Sequence, residues 1–77
     1  MDKPNLPKGR YKHYKGSEYE VIDVVRHSET EEWLVLYFPL YDPLKQLWVR
    51  PYEMFVEAIE KEGETIARFS YVGKNEN

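Results

Sequence analysis

His27 and Glu29, two residues apart in the stretch Arg26-His27-Ser28-Glu29-Thr30, are the pair best suited to proton chemistry in this chain. An imidazole and a carboxylate act as general acid and base when a reacting group sits between them. No serine–histidine–acid spacing accompanies the pair, and a triad needs a scaffold that orients three groups. Hydrolase chemistry is therefore a poor expectation for a domain this small. A metal centre needs three or four ligands. His13, His27 and scattered acids offer no compact ligand motif, so neither a metal nor any other cofactor is expected. Arg50 suits recognition better than catalysis. It follows Trp48 and precedes Pro51, and a guanidinium beside aromatic rings can stack on them while presenting its planar fork to a carboxylate or phosphate. Tyr37, Tyr41 and Trp48 flank one loop and would form an aromatic groove beside it, of the kind small β domains use for extended peptides.

Each of these residues also has a plainer use. Ser28 and Thr30 suit hydroxyl-to-backbone bonds in a turn, with Glu29 reaching further. Arg50 has Glu29 or Glu53 as an internal partner, and Arg68 has Glu57 or Glu60 across a hairpin. Large rings can fill a thin core while their hydroxyls reach water. Seven tyrosines are more than such a core needs, which favours a surface role for some of them.

The positioning elements follow from size and pattern. A chain of 77 residues is one domain. At this size a fold buries only about 60% of its unfolded surface. No cysteine is present to staple it, which fits a reducing, cytoplasmic compartment. Twelve aromatic residues make up 16% of the chain and compensate. No run approaches the roughly 20 apolar residues that cross a bilayer, and no apolar stretch follows the basic N-terminus as in a signal peptide. Residues 1–15 carry five Lys/Arg and one Asp, a sum of +4. The remainder carries six Lys/Arg and thirteen Asp/Glu, a sum of −7. Lys8, Arg10, Lys12 and Lys15 would touch phosphates if the domain bound single-stranded nucleic acid, with tyrosines stacking on bases. The acidic remainder argues against it.

Residues 1–8, with Pro4 and Pro7, read as a flexible lead-in, 9–72 as the domain and 73–77 as a frayed tail. Strands are expected at Gly9–Gly16, Glu18–His27, Glu32–Leu40 and Leu47–Arg50. In the second, alternation puts Tyr19, Val21, Asp23 and Val25 on one face and Ile22 and Val24 on the other. Pro51 at the first position of a single helical turn covers "PYEMF". Val56–Glu60 and Thr65–Val72 are then the arms of a hairpin around Gly63. These elements predict a mainly β fold: a small, strongly bent antiparallel sheet or an SH3-like barrel with one short helical turn.

The motifs "YKHYKGSEYEVI", "RHSETEEWLVLY", "LWVRPYEMF" and "ARF", in this order and spacing, resemble the DUF1653 family of small bacterial domains. The resemblance covers Gly9 to Tyr71. Two departures concern loops. The Tyr41–Gln46 loop lacks the glycine common there, and Ala67 replaces a proline common before Arg-Phe. The resemblance implies a shared fold and a bacterial, cytoplasmic origin, and brings no catalytic residue with it. The functional expectation thus rests on the residues. It is a non-enzymatic module in which Tyr37, Tyr41 and Trp48, anchored by Arg50, His27 and Glu29, bind a peptide or a small anionic group. A sheet edge left uncovered would let two copies pair as a homodimer.

Overall fold

The computed structural model describes residues 2–74. Alternation and β-branched content produce strands in the expected order: β1 (Gly9–His13), β2 (Glu18–Arg26), β3 (Trp33–Pro39) and β4 (Trp48–Pro51). A single helical turn, α1 (Tyr52–Phe55), precedes β5 (Ala58–Lys61), β6 (Glu64–Ala67) and β7 (Phe69–Gly73). Every pairing is antiparallel. The fold is mainly β, in two sheets with one short helix.

The main sheet runs β4-β3-β2-β1-β7, while β5 and β6 pair only with each other. It does not close into a barrel, because among the described residues no strand bridges its edges, β4 and β7. Of the two architectures expected, the antiparallel sheet is the one present. The expected second hairpin arm is also divided. Glu62 and Gly63, both with positive φ (54° and 82°), form the tight two-residue turn between β5 and β6. The chain then breaks at Arg68, and β7 leaves to pair with β1.

One register slip rearranges a face. The β2–β3 ladder shifts between Val21 and Asp23, so that Val21 opposes Tyr37 and Val24 opposes Val35. This bulge turns Val21 and Val24, three residues apart, to the same face, where both are buried, at 1% and 4% exposure. Strict alternation would have put them on opposite faces. On β3 the buried residues are Val35, Tyr37 and Pro39, with Leu34, Leu36 and Phe38 half-buried between them.

The core is built on rings. Phe55 and Phe69 stack at 4.1 Å with planes 5° apart, and Tyr11 meets the edge of Phe55 at 5.3 Å. The helical turn delivers Phe55 to this stack. Pro51 lies just before the helix as its cap (φ −52°, ψ 136°), one position earlier than expected. Gly9 is buried where β1 passes the end of β7. Its φ is 134°, and a Cβ there would sit 2.8 Å from the Gly73 carbonyl oxygen.

Residues 2–8 form no strand, yet they lie along the fold. Leu6 packs on the core, the Tyr11 hydroxyl donates to the Pro7 carbonyl (2.6 Å), and Lys3 Nζ meets Asp23 Oδ1 at 3.0 Å. Of the tail expected at 73–77, Gly73 closes β7 and residues 75–77 lie outside the described residues. Among the described residues, no helix is long and apolar enough to cross a membrane.

Candidate functional site: an aromatic face beside Arg50

The six residues singled out in the sequence fall into two groups. His27 and Glu29 belong to the β2–β3 turn. There the His27 N–H donates to the Glu32 carbonyl and the Glu31 N–H to the His27 carbonyl, both at 2.9 Å, with Glu31 at φ 63°. His27 Nδ1 accepts from the N–H groups of Glu29 (3.0 Å) and Thr30 (3.2 Å). Thr30 Oγ1 accepts from the Glu32 N–H at 3.3 Å. The principal side-chain acceptor of the turn is thus His27 rather than Ser28, and its Nδ1 lone pair is committed to the backbone. The Glu29 side chain is exposed.

Tyr37, Tyr41, Trp48 and Arg50 gather near the other end of the sheet. Trp48 opposes Tyr37 on β3, four residues along from Trp33, which closes the His27 turn. Four residues of strand span about 13 Å, so the turn is not part of this group. Tyr37 is a core residue at 2% exposure rather than a wall of a surface groove. Only its hydroxyl serves the site, accepting from Arg50 Nε at 3.2 Å. Trp48 is 40% exposed and Tyr41 63%. Tyr41 is on the surface because its loop is shaped by Asp42, whose carboxylate accepts from the Leu44 N–H at 3.0 Å. Neither Glu29 nor Glu53 reaches Arg50, and the guanidinium has no carboxylate partner among the described residues. Its Cζ lies 5.5 Å from the Phe69 ring centre, so ring and hydroxyl hold it half-buried.

Tyr19 completes the face and was not singled out in the sequence. Its ring centre is 5.6 Å from Tyr37, 6.1 Å from Tyr41 and 6.3 Å from Trp48. The signal was present: the Gly16-Ser17 turn pairs Tyr11 with Tyr19, which puts both on the face of Tyr37. Burial, then the Tyr41 hydroxyl, raises the Tyr19 pKa, so its phenol stays neutral. His13 lies edge-on to Phe69 at 4.9 Å. Burial first, then the charges of Arg68, Arg50 and Lys15, lower its pKa. Arg68 is neutralised by Glu57 at 2.8 Å, one of the two partners expected for it. Arg50 is therefore a cation with no carboxylate partner among the described residues, at an edge of exposed rings.

Two clefts lie elsewhere. One of about 380 Å³ runs between the N-terminal segment and the start of α1, walled by Pro4, Trp33, Pro51 and Tyr52. Another of about 280 Å³ lies beside His13, Tyr14 and Ile66. None of the six expected site residues lines either one. No three His, Asp or Glu side chains converge as a metal site among the described residues.

Residues 9–71 match the family described as protein of unknown function (DUF1653). The structure is similar to the crystal structure of a DUF1653 protein from Bordetella bronchiseptica, with a TM-score of 0.82, 30% sequence identity and 95% of each chain covered. No curated protein matches the chain. A match over most of the chain, with a family member of the same fold at full length, places this protein in the DUF1653 family.

Proposed function

We propose that the protein is a non-enzymatic binding module that receives an anionic group, free or carried on a peptide, on the face formed by Tyr19, Tyr41 and Trp48 beside Arg50. The observation that carries this reading is the half-buried guanidinium with no carboxylate partner among the described residues. A charge drawn partly out of water gains from a counter-ion, and an arginine fork matches carboxylate and phosphate geometry. Exposed rings next to it supply apolar area at low entropic cost. His27 fits a binding module rather than an enzyme, because its Nδ1 already accepts two backbone bonds. The N-terminal cations weaken the nucleic-acid alternative: Lys3 and Lys8 face Asp23, and Arg10 faces Glu18.

Phenyl phosphate, an anion carried on a ring, is the probe. Titration is expected to perturb Trp48, and Arg50→Gln or Trp48→Ala to abolish the response. Both variants should lose no more than about 1–2 kcal/mol, because Trp48 is partly exposed and Arg50 gives up its bond to the Tyr37 hydroxyl. Collapse of folding in both would assign these residues to architecture instead.

A further inference from the structure

The 380 Å³ cleft has a chemistry opposite to that of the Arg50 face. Its walls are the half-buried rings of Trp33 and Tyr52, with Pro4 and Pro51 beside them. Its rim carries the carboxylates of Glu31, Glu32 and Glu53, all exposed, and none is in an ion pair among the described residues. The one cation at the cleft, Arg26, is already engaged. Its guanidinium lies 4.5 Å from the Trp33 ring centre, and its Nε donates to the Glu31 carbonyl at 2.9 Å. Three carboxylates against one committed guanidinium leave the rim negative.

From this charge and these walls we infer that the cleft is a docking site for a basic, proline-containing peptide of a partner protein. Proline rings pack against aromatic walls, and a polyproline strand arrives with its conformation already set, so little entropy is lost on docking. Lysine or arginine side chains on the same peptide meet the rim carboxylates. The protein itself shows that a proline fits here. Pro4 already stands in the cleft wall beside Trp33 and Tyr52.

The test is an amide and indole NMR titration with the blocked peptide Pro-Pro-Lys-Pro-Pro-Lys. Two controls carry alanine in place of proline and glutamate in place of lysine. The proline–lysine peptide is expected to shift Glu31, Glu32, Tyr52, Glu53 and the Trp33 indole, with both controls inert at the same concentration. The double variant Glu32→Gln/Glu53→Gln, confined to exposed side chains, should weaken binding at least about fivefold, and raised salt should weaken it further. Arg50→Gln should leave it unchanged, which separates this cleft from the anion-binding face. Equal binding of the alanine or glutamate peptide would overturn the inference. So would undiminished binding by the double variant, or no shift at Trp33 with the proline–lysine peptide at millimolar concentration.

Discussion

His27 has a structural use that its chemistry disguises. Its Nδ1 accepts two backbone N–H groups in the β2–β3 turn, and removing the ring orphans both. His27→Ala should lower stability by about 1–2 kcal/mol, read from denaturant midpoints. Glu29→Ala, on an exposed side chain of the same turn, should stay within about 0.5 kcal/mol. Two other residues give the protein a pH window. The pKa of His13 is lowered on folding, so the unfolded chain binds its proton first. Stability is then full above the ordinary histidine value and falls as pH drops through the folded one. Tyr11 moves the opposite way. Burial, then Tyr71 and Tyr52, push its hydroxyl up to about 12 from 10.0. Its stability contribution is present below pH 10 and lost as pH rises toward 12. Thermal melts across pH should decline at both ends. A His13→Phe variant should make the acid-side decline shallower, with Asp23 still contributing there, and Tyr11→Phe the alkaline one, with Tyr19 still contributing.

The residue types in the turn were plain in the sequence, but their division of labour was not. A polar loop offers several acceptors, and only the backbone path decides which one is aimed at its N–H groups. The same limit applies to Arg50. Glu29 and Glu53 were reasonable partners by sequence, but Glu29 sits in the β2–β3 turn and Glu53 on α1, and neither pairs with it. Tyr37 shows the converse, because alternation puts it on one strand face with Trp33 and Val35 but does not tell which face the chain covers.

At the scale of elements, α1 is too short to be stable alone, and it persists because Phe55 is stacked on Phe69. Phe55→Ala should cost about 3–5 kcal/mol. For a domain whose whole stability is of order 5–15 kcal/mol, that loss should lower the denaturant midpoint markedly, read by circular dichroism. Strand positions were legible because β-branched and aromatic runs are bounded by Gly, Pro and Asp. Two element-level features escaped. The bulge at Val21–Asp23 inserts one residue into a β-branched run, and no glycine or proline marks it. The break at Arg68 sits inside a run with continuous strand propensity. It arises because Phe69 must reach the core while β7 pairs with β1. Gly9 belongs at this scale too. Gly9→Ala would push a Cβ into the Gly73 carbonyl where β1 meets β7, and should lower the melting temperature more than Ala at exposed Gly16, which has open space around it.

Across the whole molecule, a small core consumes Tyr11, Tyr37, Phe55 and Phe69 and leaves Tyr19, Tyr41 and Trp48 lining a surface. Excess aromatic content was the legible sign of that surface. Its shape was not, because exposure depends on the sheet remaining open. The open ladder leaves β4 and β7 as edges, and Pro51 withholds an N–H at the end of β4. Charge is likewise segregated, with Arg50 beside exposed rings and unpaired carboxylates around the Trp33 cleft. The two tryptophans stand on these two regions, so each indole N–H reports one of them. The most direct measurement is the two-signal indole spectrum during titration with phenyl phosphate. Binding at the Arg50 face predicts that the Trp48 signal moves to saturation, that Trp33 stays in place, and that Arg50→Gln abolishes the movement in a folded protein. A Trp48 signal that stays fixed, or that moves equally without Arg50, would contradict it.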